Sequence, residues 1–227
     1  VIFIPINIDL DLSRHVTEPV QVDSLTSQCK SRHYRAGAQF TLDWLDCAAF
    51  AIYAFSVRVF VTLNGDATAN FDLTVFPAEG SELSLLSWSL QINGMRTNHL
   101  FQSLGFGVKY DCPCEGFAED YPHLTMQYIA AYTSSGVGLY VAAHDPLGSN
   151  KQFSVEFDSA GTTSSLIISA VPPGSGYPLP VSGFTIAFPF VVGVFQGSWW
   201  DAAQIYRAWV LPTAVWTKAG PISERSD

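Results

Sequence analysis

The chain has 227 residues, of which 48% are hydrophobic, 14% aromatic and only 14% charged, with a formal net charge of −9. That length suits one large all-β domain with a sizeable core. Its eleven scattered Lys and Arg residues argue against a nucleic-acid surface, and no apolar run is long enough to span a bilayer.

The opening VIFIPINIDLDL alternates, with Ile2, Ile4, Ile6, Ile8, Leu10 and Leu12 on one face, as in a half-buried strand. Pro5 cannot donate to a ladder and fits an edge or a bulge. Residues 13–19 read as a polar loop and 20–26 as a second short strand. The basic SQCKSRHYRAG reads as an irregular surface loop. Alternation resumes at Phe40, Leu42 and Trp44, and the longest regular strand runs from Tyr53 to Leu63. The next strand, around Phe71, Leu73 and Val75, begins too late after Asn64-Gly65 for a two-residue hairpin, so a longer loop is expected. Leu86, Trp88, Leu90 and Ile92 form a strand that Asn93-Gly94 ends with a turn. Phe106, Val108 and Tyr110 continue the pattern up to the loop DCPCEGFAEDYP.

Leu124 to Tyr132 and Leu139-Val141 flank SSG as a hairpin. Two further strands follow, at Phe153-Val155-Phe157 and Leu166-Ile168-Ala170. PPGSGYPLP is a stiff connector. Phe184, Ile186 and Phe188, then Phe190, Val192 and Val194, end the series, with Pro189 at the break. Only QGSWWDAAQIYRAWVLPTAVW predicts a helix. Ser198 and Asp201 have capping-box form, Ala202, Ile205, Tyr206 and Trp209 share one face, and Pro212 is the stop signal. Trp199 and Trp200, being adjacent, cannot both face inward. The expected architecture is a two-layer antiparallel β-sandwich with one C-terminal helix packed on it. It forms a single domain over 1–227, with the helix at 198–210 and an extended tail or linker at 211–227.

The run GVFQGSWWDAAQIYRAWVL with VWTKAGPISERSD, and YPHLTMQYIAAYTSSGVGLYVAAHDPLGSNKQF before it, resembles the N-terminal β-sandwich of large glycoside-hydrolase-like proteins, most strongly over 121–227. In that group the sandwich precedes a (β/α)8 barrel carrying the catalytic carboxylates. The resemblance implies a carbohydrate-active ancestry and a non-catalytic module, with carbohydrate and a C-terminal barrel domain as partners. The alternative is a self-associating structural subunit of an extracellular assembly. Few charges on long strands suit surfaces covered by neighbours, since isolated sheets guard their edges.

No nucleophile elbow, P-loop, dinucleotide-binding glycine pattern or zinc-protease motif occurs, so no catalytic, metal or cofactor residue is assigned. The acids Asp111, Glu115, Glu119 and Asp120 match no calcium loop and read as solvated. His144-Asp145-Pro146 with Lys151 has two readings. One presents a donor and an acceptor to a sugar hydroxyl. The other, favoured by residue type, is a tight reversal initiated by Asp145, with Lys151 starting the next strand. With Trp199, these three are the candidate glycan contacts, and His144, as a surface turn residue, should matter far less to stability than Trp209. Cys29 is expected to pair with Cys47, and Cys112 with Cys114. The resemblance and the even cysteine count suggest a secreted, extracellular protein, and the start at Val1 without Met suggests a removed leader such as a secretion signal.

Overall fold

A computed structural model describes residues 6–12, 20–23, 29–49, 53–79, 83–111, 115–158, 163–170, 179–180 and 182–217. Its strands are β1 (Ile6–Leu12), β2 (Val20–Asp23), β3 (Lys30–Ala36), β4 (Gln39–Ala49) and β5 (Tyr53–Leu63). Then come β6 (Thr68–Pro77), β7 (Leu83–Met95), β8 (His99–Leu104), β9 (Val108–Asp111) and β10 (Phe117–Tyr121). The last are β11 (Leu124–Tyr132), β12 (Val137–Ala143), β13 (Lys151–Phe157), β14 (Ser164–Ala170), β15 (Phe184–Thr185) and β16 (Phe190–Gln196). Helix α1 (Trp199–Thr213) and a 3-10 turn at Val215–Thr217 follow.

Every described pairing is antiparallel. One sheet has the order β10-β13-β14-β7-β1-β2. The larger runs β3-β4-β5-β6-β16-β12-β11-β8-β9, with β15 also on β6. Alternate residues of β5, β6, β7, β12, β13 and β14 point into the space between the sheets, where Val57, Val59, Leu73, Leu90, Val141, Phe153 and Ile168 are buried. Trp88 of β7 and Phe190 of β16 stack across it with centroids 3.9 Å apart. The chain is thus the all-β sandwich that its alternation predicts.

Helix α1 adds a third layer on the outer face of the larger sheet. Ala202, Tyr206 and Val210 are buried against Phe101, Tyr128, Ala130, Tyr140, Ala142 and Val191. The capping box is formed: the Ser198 amide donates to Asp201 Oδ2 at 2.8 Å, and the Trp200 amide to Ser198 Oγ at 3.3 Å. Pro212 does not stop the helix but lies in its last turn, where it removes one donor, and the helix ends a residue later. Trp199 and Trp200 both keep solvent exposure, 37% and 58%.

Four expectations need correction. SQCKSRHYRAG is not an irregular loop: its residues 30–36 are strand β3, paired with β4 from Lys30↔Leu45 to Ala36↔Gln39. Asn93-Gly94 does not turn the chain, because β7 continues to Met95. Gly94 takes φ +81° where the register against β14 shifts, the positive-φ geometry of a bulge that glycine accepts. Phe106 is not in a strand but at the exposed β8–β9 turn. Phe188 follows the two-residue β15 outside any strand. The loop after Leu63 is long, as expected, and closes with the Asn64 amide donating to the Thr68 carbonyl at 2.8 Å. Cys29 and Cys47 are disulfide-bonded, with Cα atoms 4.3 Å apart. Cys112, Cys114, His15, Pro5 and most of PPGSGYPLP lie outside the described residues.

Candidate functional site

The β12–β13 connection, residues 144–150, leaves the larger sheet and enters the smaller one. Asp145 organises it. Its carboxylate accepts the amides of Leu147 at 2.9 Å and Ser149 at 2.6 Å, which bends the chain into the reversal that the Asp-Pro-Leu-Gly type favours. Gly148 sits at φ +72°, which favours glycine, and a β-carbon there would be crowded by Trp216 and Tyr121, each 3.2 Å from where it would stand. Lys151, the first residue of β13, then reaches back with Nζ 3.0 Å from Asp145 Oδ2 and also donates to the Ser149 carbonyl.

Both charges are out of water, with side-chain exposures of 0% and 2%. Burial pushes the Asp145 carboxyl up, but the two amides and the Lys151 ammonium outweigh it and hold it below the usual range. Burial pulls the Lys151 pKa down, and Asp145 opposes that only in part. The ammonium also lies over the rings of Tyr121, at 4.6 Å, and Phe188, at 5.3 Å.

His144 lies against the helix layer. Its Nε2 is 3.0 Å from the Tyr140 hydroxyl and its ring stacks on Trp209, centroids 4.4 Å apart and planes 11° off parallel. Burial pulls its pKa down to about 4, so the ring is neutral at pH 7. It is no exposed turn residue. The Tyr206 pKa is pushed up to about 12 by the same burial.

In front of Lys151 opens a cleft of about 560 Å³. Tyr121, Pro122 and His123 form one wall, and Asp120, Asn150 and Gln152 supply its polar groups. Gln152 Nε2 donates to Asp120 Oδ1 across the β10–β13 pair at 3.1 Å. Here the acids after Asp111 part company. Glu119 and Asp120 belong to strand β10 rather than to a loop, while Asp111 ends β9 and takes Lys109 Nζ at 2.7 Å and His99 Nδ1 at 2.5 Å.

Of the predicted contacts, His144, Asp145 and Lys151 are brought together. Trp199 is not among them: it lies ten residues along α1 from Trp209, about 15 Å at the helical rise, and stacks on Phe101 with centroids 5.3 Å apart. The polar atoms of Asp145 and Lys151 are used within the turn, so the groups free to meet a ligand are those of the cleft wall. Asp120, Tyr121, Asn150 and Gln152 were missed, and only their convergence from β10, β13 and the connection before β13 marks them.

No family model matches the chain. In sequence, it is 33% identical over 155 residues to "Putative glycoside hydrolase 22789" of Monosiga brevicollis, a match covering 62% of this chain and 12% of that protein. In structure, it superposes on GH36 α-galactosidase AgaA from Geobacillus stearothermophilus with a TM-score of 0.52 and 12% identity, over 87% of this chain and 31% of that one. The α-galactosidase of Lactobacillus brevis gives 0.53 and 9%, over 84% and 29%. A quadruple mutant of the α-N-acetylgalactosaminidase NagBb from Bifidobacterium bifidum gives 0.58 and 11%, over 93% and 35%. This chain resembles the β-sandwich domain of large glycoside hydrolases. The superposition spans nearly all of this chain and about a third of each solved structure, and the sequence match spans about an eighth of the curated relative. No helix among the described residues is long and apolar enough to cross a membrane.

Proposed function

We propose that this chain is a non-catalytic β-sandwich module of a larger, secreted glycoside-hydrolase-like protein, and that it associates with carbohydrate at the cleft in front of Lys151. The observation that carries the reading is the superposition of 84–93% of the chain on only 29–35% of galactosidase-type enzymes. A cleft walled by an aromatic ring and lined by amide and carboxyl groups suits a neutral sugar, which offers apolar C–H faces and hydroxyls together. His144, Asp145 and Lys151 support that wall from behind.

The acids of the fold also support a non-catalytic module. Glycoside hydrolysis needs a protonated carboxyl paired with a second carboxylate. Asp43 and Asp145, the two buried acids among the described residues, are instead both held ionised. Asp43 takes Arg58 Nε at 2.6 Å and Arg32 Nε at 3.2 Å. Burial does push the Asp72 carboxyl up. Its neighbours on that face are Phe60 opposite, Arg58 and Thr62 diagonally, and Asn70 and Thr74 along the strand, none of them an acid.

The test is to run the purified chain through affinity electrophoresis on a panel of polysaccharides and through hydrolysis assays on aryl-glycosides. Retardation on at least one polysaccharide, weakened by Gln152→Ala or Asp120→Ala, is expected, with no turnover. Turnover abolished by Asp72→Asn, or by any single Asp or Glu substitution, would sink the module reading. Absence of retardation throughout would sink the carbohydrate one.

A further inference from the structure

The two outer strands of the larger sheet carry opposite charge. Among the described strands β3 is one edge and β9 the other. All seven residues of β3, KSRHYRA, are exposed, and they include Lys30, Arg32 and Arg35 with no acid. Behind them Arg58 and Arg32 share the single carboxylate of Asp43, so among the described side chains of this end Arg32, Arg35 and Arg58 outnumber the acids. At the far end β9 lies beside β10, itself the edge of the smaller sheet, with Tyr110 and Phe117 stacked at 6.5 Å. That end carries Asp111, Glu115, Glu119 and Asp120 against Lys109 alone among Lys and Arg. Each edge also exposes one tyrosine, Tyr34 at 49% and Tyr110 at 38%.

Charged edge strands commonly protect a sheet from unwanted pairing, and they do so by repelling other copies. That protection needs like charges on the two edges. Here the edges attract one another, and the backbone edge of β3 is a seven-residue template for strand addition. We propose that copies of this chain associate edge to edge, β3 of one molecule against β9 and the flanking β10 of the next. Two different surfaces meet in this contact, so it does not close on itself as a symmetric dimer would, and it propagates into a linear assembly. The partner is a second copy, selected by charge complementarity at contact distance. The long-range repulsion between molecules of formal charge −9 is screened within about a Debye length. Both edges lie on strands other than β13, which lines the cleft with β10, and self-association through them does not require carbohydrate.

Charge reversal tests it. Sedimentation velocity over a wide concentration range should show the wild-type chain growing in mean mass with concentration. Lys30→Glu/His33→Glu/Arg35→Glu makes both edges acidic, and Glu115→Lys/Glu119→Lys makes both basic. Each is expected to weaken association about tenfold or more, and an equimolar mixture of the two should recover it. Circular dichroism establishes that each variant is folded. Should one not be, the neutral pairs His33→Gln/Arg35→Gln and Glu115→Gln/Glu119→Gln replace them, each expected to weaken association. A wild-type chain that stays monomeric throughout, or variants that associate as the wild type does, would overturn the proposal. A mixture of reversed variants that stays monomeric would overturn it as well, and would assign the basic edge to some other partner.

Discussion

At the turn after β12 three titratable side chains are withdrawn from water, and each has a partner that suits one charge state. Lys151→Met would leave the Asp145 carboxylate buried with its two amides and no cation, an arrangement expected to cost about 3–5 kcal/mol. The double change Asp145→Asn/Lys151→Met should recover part of that loss, because it removes both charges together. Urea denaturation of the three variants measures the difference. His144 makes stability depend on pH in one direction. Its folded pKa of about 4 lies below the unfolded value of 6.5, so as pH falls the unfolded chain takes up the proton first. The contribution of the neutral ring is therefore complete above pH 6.5 and is lost between there and about pH 4, by up to about 3 kcal/mol. Melting temperatures recorded from pH 8 to pH 4 should fall more steeply for the wild type than for His144→Phe.

Among the elements, α1 is the one whose stability is borrowed. A helix of 15 residues is marginal alone and survives by burying one face. That face is a ladder of rings: Tyr206 meets Tyr128, which meets Tyr140, each pair with centroids 5.3 Å apart, and Trp209 closes the row on His144. Tyr206→Ala is expected to cost about 3–5 kcal/mol, and Ser198→Ala, which removes the cap, about 1 kcal/mol. Arg207→Ala, on the exposed side, should lie within about 0.5 kcal/mol of the wild type. Denaturation midpoints of the three give that order if the helix is docked as described. Because His144 and Trp209 stack on each other, truncating either strips the other, so their costs should be closer than a surface-turn reading of His144 implies.

For the whole molecule, the larger sheet is held at its β3 end by the Cys29–Cys47 disulfide, 18 residues apart in sequence. Closing a loop of that size stabilises by roughly 3 kcal/mol when the loop is otherwise free. The β3–β4 ladder already ties the same segment, from Lys30↔Leu45 inward, so a smaller effect is expected. Cys29→Ser/Cys47→Ser should lower the melting temperature by a few degrees and leave the cleft intact, read as unchanged retardation on any polysaccharide that the wild type binds. Loss of that binding would mean that the two ends of the sandwich are coupled.

Alternation within a strand and capping within a helix are local properties, and they were legible. The β11–β12 hairpin, β13, β14 and the Ser198-Asp201 box all stand where the residue pattern places them. Where two faces of a strand have the same surroundings, that period disappears. β8, HLFQSL, shows no alternation because Leu100 packs between the sheets and Phe101 under α1, so both faces are buried. β3 shows none for the opposite reason, since all its residues are exposed and only its pairing with β4 makes it a strand. The sequence by itself determined the all-β class, the single helix and the residues of the His-Asp turn. The tertiary structure decided that Lys151 is buried on Asp145, that Trp199 lies far from them, and which side chains wall the cleft. The cleft wall depends on strands β10 and β13, whose paired residues are thirty or more positions apart in the chain, coming side by side, and no local period records that.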